Sequence, residues 1–161
     1  MKKTAFIANF IAWAAVAIGT TAFLAWYHAT DAEQLAASSD ASTMAQLGAI
    51  LAAPVLLYAM GAVLGLLFVF FKKIEMGRTS RLVLRCASIL ALAFVLLAGV
   101  PIVAPSLADA FAVPLVVVIY VSRAAPILIM MFGFFYALGM APADRTKRGA
   151  FAKYLPDDHF E

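Results

Sequence analysis

The side chains that could support catalysis or metal binding are few in this sequence and lie far apart. It contains two histidines, His28 and His159, and one cysteine, Cys86. Haem ligation would need histidines at matched depth, and zinc or iron–sulfur sites need clustered ligands. A nucleophile would need a neighbouring base, and no long apolar segment contains a carboxylate. The sequence therefore predicts a non-catalytic protein with no cofactor and no metal site, in which Cys86 is buried as a small hydrophobe.

Basic side chains form a second chemical feature. Arg81 and Arg85 are four residues apart, so on a helix they share one face, where two guanidinium groups could bind a lipid phosphate. Lys72 and Lys73 precede them across a short connector. The alternative is that all four cations only anchor helix ends at the membrane headgroups.

Small residues recur at helical spacing in two apolar segments. Gly61 and Gly65 form a GxxxG motif, and Ala8, Ala12 and Gly19 follow one side of the first apolar segment. Such a face lets another helix approach closely and gain van der Waals contact that lipid does not supply. Packing within the chain and a face for a partner protein both explain the pattern.

These residues must be positioned by elements that lie in lipid. Apolar residues make up 65% of the 161 residues and charged residues 13%, with a mean hydropathy of +0.97. Soluble domains are about half apolar and about a quarter charged, so this chain has too few polar side chains to cover its surface. The composition excludes a soluble enzyme and a secreted disulfide scaffold. The net charge of +3 is interpreted as a sign of membrane topology and of attraction to anionic lipid headgroups, and it does not imply nucleic-acid binding.

Long apolar runs in a bilayer must be helices of roughly 20 residues, because backbone polar groups cannot stay unpaired there. The sequence predicts an all-α membrane protein, a single-domain bundle of four transmembrane helices. The predicted spans are residues 5–27, 44–71, 82–103 and 124–141. Pro101 is expected to end the third span, and an acidic outer loop joins the first two.

The fourth span is the hardest to place because Arg123 lies within a long apolar run. A central charge costs at least about 2.5 kcal/mol, so we expect the helix to start after Arg123, with Pro126 in its first turn. Arg123 then lies at the outer boundary, where it could pair with Asp109. Residues 115–121 fall outside this span, as an interfacial segment or a strand-like cover. A span centred on Arg123 is the alternative.

The distribution of basic residues predicts the orientation. Eleven of the twelve Lys and Arg residues fall on one side of the predicted spans, and Arg123 falls on the other. The positive-inside rule then places both termini, and a tail of residues 143–161, in the cytoplasm. The first span is expected to be retained, because no small-x-small cleavage site precedes Trp26.

The segment of residues 70–85 carries a family resemblance. It runs from the second span into a basic connector with Gly77, Thr79, Leu82 and Arg85. Gly77 is expected to end one helix and Thr79 or Ser80 to cap the next. This segment resembles a family of small four-span bacterial inner-membrane proteins known only as a domain of unknown function. The resemblance implies four spans and a bacterial inner membrane, with no assigned activity.

Without buried acids, bases or metal ligands, function is expected to come from packing and partners. The sequence favours an accessory, scaffolding or regulatory subunit that binds membrane lipids and another membrane protein, or its own copies. The alternative is a small oligomeric carrier or channel for a hydrophobic or cationic molecule.

Overall fold

The computed structural model describes residues 3–30 and 39–142, and regular structure in these ranges is helical with no β-strand. The predicted tail, residues 143–161, and most of the predicted outer loop lie outside the described residues. The helices are α1 (Lys3–Ala29), α2 (Ser39–Lys72), α3 (Arg78–Leu97), α4 (Val100–Val103), α5 (Ala108–Ala124) and α6 (Pro126–Gly139). A short 3₁₀ turn, Pro105–Leu107, precedes α5.

Three helical segments are long and apolar enough to cross a membrane: Thr4–Ala29, Ile50–Lys72 and Arg78–Leu97. The pair α5 and α6 meets the same criterion only when both helices are counted together. The described part of the chain therefore has three candidate spans, or four if the bent pair is one span. This pattern fits an all-α membrane protein.

The apolar run that contains the predicted fourth span bends just before that span, and the helix of the span begins at Pro126, as predicted. Helices α5 and α6 meet at an angle of 101°. Ala125 between them has φ −145° and ψ 59°, as expected before Pro126, because a proline disfavours the helical conformation of the preceding residue. The 14 residues of α6 extend only about 21 Å. Residues 115–121, for which a strand-like cover was one expectation, are helical within α5.

The predicted third span also ends earlier than expected. Helix α3 ends at Leu97, and Pro101 belongs to the separate one-turn helix α4. The Ala98 and Gly99 N–H groups donate to the last carbonyls of α3, so the chain turns before it reaches the proline.

Helix α2 is the centre of the bundle and packs against both α1 and α6, and α6 also packs against α3. The rings of Phe6 and Phe70 stack at 4.3 Å and those of Trp13 and Tyr58 lie 5.2 Å apart, so α1 runs antiparallel to α2. Arg85, near the start of α3, contacts Gly139 at the end of α6, so this pair is also antiparallel.

These directions bring four helix ends to one end of the bundle. The start of α1, the end of α2, the start of α3 and the end of α6 lie together, and the Met76 N–H donates to Pro142 O at 3.1 Å. We call this the basic end, because it carries Lys72, Lys73, Arg78, Arg81 and Arg85.

The connector between α2 and α3 uses different residues from those expected. Lys73, not Gly77, has the left-handed conformation that ends α2, with φ 49°. The Ile74 N–H donates to Val69 O at 3.4 Å, the long bond of a Schellman motif. Gly77 precedes α3 as its N-cap, and no side chain caps this helix, so the expected capping by Thr79 or Ser80 is wrong.

We expect Lys73→Gly to stabilise the protein by up to about 1 kcal/mol, because glycine adopts positive φ without the steric penalty of a Cβ atom. The midpoint of thermal unfolding in detergent measures this effect. Lys72→Gly removes the same charge from the last helical residue of α2, where glycine is less favourable than lysine, so the midpoint of that variant should fall. Equal shifts in both variants would contradict the left-handed end of α2.

Candidate functional site

The GxxxG motif on α2 packs against α6 of the same chain. A Cβ atom added at Gly61 would collide with the Met130 carbonyl group, and one at Gly65 would lie 2.7 Å from Ala137 Cβ. The matching small residue on α6 is Gly133, whose added Cβ would collide with the Tyr58 carbonyl oxygen. The two backbones are therefore in direct contact, and the α2 motif is covered within the chain.

Gly133 was not singled out from the sequence, although Gly133 and Ala137 have the same four-residue spacing as Gly61 and Gly65. Gly139 makes a second close contact, since its added Cβ would lie 3.0 Å from Arg85 Cβ and Arg85 N. Small residues thus bring α6 close to α2 on one side and to α3 on the other.

The small residues of α1 have the opposite environment. Ala8, Ala12 and Gly19 are exposed, and nothing lies within 4 Å of a Cβ built on Gly19. Alternate steps of three and four residues connect them with further exposed small residues along the helix. We define the α1 small-residue face as Ala5, Ala8, Ala12, Ala15, Gly19 and Ala22.

The other side of α1 attaches to the bundle through aromatic rings. Trp13 lies between the rings of Tyr58 and Tyr136, at centroid distances of 5.2 and 5.4 Å. The Tyr136 hydroxyl donates to Asn9 Oδ1 at 2.8 Å, and Asn9 Nδ2 donates to Ala5 O, also at 2.8 Å. Both polar groups are therefore paired, and Asn9 and Trp13 join α1 to the rest of the chain. The α1 small-residue face belongs to the exposed part of the helix, which also carries Ile7, Ile11 and Ile18.

The predicted lipid-binding arginines line a groove at the basic end. Its volume is about 260 Å³, and we define the arginine groove by its lining residues Arg78, Arg81, Leu82 and Arg85. Arg85 Nη2 donates to Gly139 O at 3.0 Å and so caps the C-terminus of α6. Lys72 and Lys73 are exposed nearby but do not line the groove.

Arg123 and Asp109 do not pair with each other. Asp109 lies in the first turn of α5 and Arg123 in its last, about 21 Å apart along the axis, which is too far for an ion pair. Asp109 instead lies near the partial positive charge at the N-terminus of α5, and Arg123 lies near the partial negative charge at its C-terminus. Each attraction stabilises α5 by about 0.3–1 kcal/mol. Both side chains are exposed.

An apolar cavity of about 240 Å³ lies among α2, α3, α5 and α6. The buried Tyr58 hydroxyl donates to the Ser88 carbonyl oxygen at 3.2 Å. Residues from all four helices line the cavity, among them Tyr58, Phe94, Val95, Val118, Ile129 and Phe132.

The side chains that could act as metal ligands or nucleophiles do not form a cluster among the described residues. Cys86 is exposed on α3, so the expectation that it is buried is wrong. His28 lies exposed in the last turn of α1, and His159 is outside the described residues. Among the described residues, no group of three or more His, Cys, Asp or Glu side chains could hold a metal ion.

Comparison with known proteins finds no family that matches this chain, and neither a curated protein nor a solved structure that matches it. The resemblance of residues 70–85 to a family of small four-span membrane proteins therefore stays a prediction.

Proposed function

We propose that this chain is a non-catalytic accessory or scaffolding subunit of a membrane complex, and that it binds a transmembrane helix of another membrane protein on the α1 small-residue face. The observation that carries this proposal is the exposure of that face. In the apolar stretch of α1 no residue is buried by the rest of the chain, whereas 44% of the residues in the apolar stretch of α2 are buried.

The chemical character of the face supports a helix as its partner. Small residues are enriched where transmembrane helices touch, because they allow backbones to approach closely. The same chain uses this device between α2 and α6, where Gly61, Gly65 and Gly133 make backbone contact. On α1 the small residues have no such neighbour among the described residues.

In this proposal the protein crosses the bacterial inner membrane four times, with the bent pair α5 and α6 as the fourth crossing. The basic end faces the cytoplasm, as the positive-inside rule requires for clustered Lys and Arg residues. Support for both termini being cytoplasmic comes from the fold, because α1 begins and α6 ends at the basic end. The ligands outside protein are membrane lipids, and nucleic acid is not a partner.

Copurification from native membranes in mild detergent tests the proposal. We expect the chain to purify in fixed stoichiometry with a larger membrane protein. Ala12→Leu/Ala15→Leu should reduce the amount of bound partner at least about tenfold, because two bulky side chains hold the helices apart. The thermal unfolding midpoint of the isolated chain should stay unchanged, because both positions are exposed.

The matched control is Ala93→Leu/Ala112→Leu, which makes the same change at exposed positions of α3 and α5. This control should keep the partner. Equal partner loss in both double variants would contradict the α1 face, and a discrete homo-oligomer with no second protein would contradict the accessory role.

The alternative function is a small oligomeric carrier or channel for a hydrophobic or cationic molecule. The apolar cavity of about 240 Å³ favours a hydrophobic cargo. A cationic cargo has less support, because the hydroxyl groups of Thr20, Thr21 and Ser88 donate to carbonyl groups of their own helices. A homo-oligomer in the copurification experiment would favour the carrier.

A further inference from the structure

The arginine groove contains buried donors without acceptors. Arg81 Nε and Arg85 Nε are both buried, and neither has a hydrogen-bond partner. Buried polar atoms of proteins are nearly always paired, because a donor without an acceptor loses its hydration and gains nothing in return. Two such atoms on neighbouring turns of one helix indicate that an acceptor from outside the described chain completes the groove.

The described residues do not supply a compensating anion. Glu75 and Asp109, the two carboxylates whose side chains are described, are both exposed and provide no acceptor to the two Nε atoms. Asp109 lies beyond the far end of α3, on α5. The groove is therefore a concentration of positive charge without an internal counter-ion among these residues.

The geometry of α3 places three guanidinium groups on one side. Arg78, Arg81 and Arg85 follow each other by three and four residues, the spacing of one helix face. The hydrogen bond from Arg85 Nη2 to Gly139 O fixes one of these groups in position. The N-terminus of α3 adds in the same direction, since it has no acidic residue in its first turn and no side-chain cap.

We propose that the arginine groove binds a phosphate group. A phosphate offers several oxygens around one centre, and guanidinium groups bind such anions through parallel N–H donors. A single carboxylate has two oxygens, whereas the groove presents three guanidinium groups. The site is separate from the α1 small-residue face and does not depend on partner binding there.

The phosphate could belong to a phospholipid headgroup or to a soluble compound, and the groove itself favours the phospholipid. Leu82, which is 62% exposed, lines the groove beside the arginines. The adjacent Val83 is 59% exposed. An apolar surface that continues from a cationic groove matches a headgroup followed by acyl chains.

Ligand titration of the full chain in dodecyl maltoside tests the proposal, with the thermal unfolding midpoint as readout. Three probes are compared: dioleoylphosphatidylglycerol, dioleoylphosphatidylcholine and inorganic phosphate. We expect phosphatidylglycerol to raise the midpoint of the natural protein at lower concentration than phosphatidylcholine does, because the choline ammonium opposes the arginines.

The decisive variant is Arg78→Gln/Arg81→Gln, which should weaken phosphatidylglycerol binding at least about tenfold, since charged hydrogen bonds are lost. Arg85 is kept because it caps α6. The ligand-free midpoint should not fall, because Arg81→Gln removes an unpaired buried donor. Arg78→Gln alone changes an exposed residue and should give a smaller loss of affinity.

The matched control is Lys72→Gln/Lys73→Gln, which removes two positive charges from the same end of the bundle but not from the groove. It should bind phosphatidylglycerol within about twofold of the natural protein. Stabilisation by inorganic phosphate with the same dependence on the variants supports the phosphate site and assigns it to a soluble compound. Equal losses in both double variants, or no effect of any probe on the natural protein, would overturn the proposal.

Discussion

Gly133→Ala is expected to lower the stability of the protein by about 3 kcal/mol or more. The added Cβ would collide with the Tyr58 carbonyl oxygen and would lie 2.8 Å from Ala62 N. Both atoms belong to the backbone of α2, so neither can rotate away as a side chain does. Relief would require α2 and α6 to separate, and overpacking that moves backbone is strongly destabilising.

The midpoint of thermal unfolding in detergent, followed by circular dichroism, measures the loss. Gly19→Ala is the matched control, because it adds the same methyl group where nothing lies within 4 Å. That variant should be neutral or stabilised by up to about 1 kcal/mol, the helix preference of alanine over glycine. A Gly133→Ala protein that unfolds within one degree of the natural protein would show that the two backbones are not in contact.

The contact between α2 and α6 at Gly133 could be predicted only in part from the sequence. Gly61 and Gly65 were recognisable as a close-packing motif, but the sequence left open whether the neighbour was α6 or a partner. The reason is physical: in a helix with apolar residues on all sides, the side facing lipid and the side facing protein have the same polarity. Periodicity therefore predicts the helices but not their contacts.

For the charged residues too, local backbone preferences could be predicted from the sequence but contacts between distant residues could not. A helix start near Pro126 could be predicted, since proline has a local backbone preference at the first helical position. The separation of Asp109 and Arg123 could not, because both belong to α5, which the sequence did not indicate as a helix. Arg85 was predicted to bind lipid, but its additional hydrogen bond from Nη2 to Gly139 O, 54 positions away, could not be predicted. Long-range pairs of this kind leave no local pattern.

Helix α1 has two faces of different character. Its aromatic side joins α2 and α6 through Trp13, Tyr58 and Tyr136. Its other side, the α1 small-residue face, is exposed along the helix. A substitution on the first side should change the stability of the chain, and a substitution on the second should change only its binding to a partner. The proposed function requires both results.

Trp13→Ala is expected to reduce stability by about 3 kcal/mol and to loosen α1 from the bundle. Trp13 lies between the rings of Tyr58 and Tyr136, so its removal leaves a cavity and breaks two aromatic contacts at once. Other contacts that hold α1 include Phe6 with Phe70 near one end, the Tyr136–Asn9 hydrogen bond, and Phe23 with Gly48 towards the other end. In membranes helix association depends on such packing, because lipid is as apolar as the helix.

Thermal unfolding and copurification together check this prediction. Trp26→Ala is the matched control, because Trp26 lies on the same helix but is 52% exposed, and its loss should cost less than about 1 kcal/mol. Trp13→Ala should lower both the unfolding midpoint and the amount of bound partner, since a displaced α1 no longer presents its outer face correctly. Ala12→Leu/Ala15→Leu should lower only the amount of bound partner. If Trp13→Ala and Trp26→Ala have equal midpoints, the aromatic attachment of α1 is wrong, because only Trp13 lies between helices.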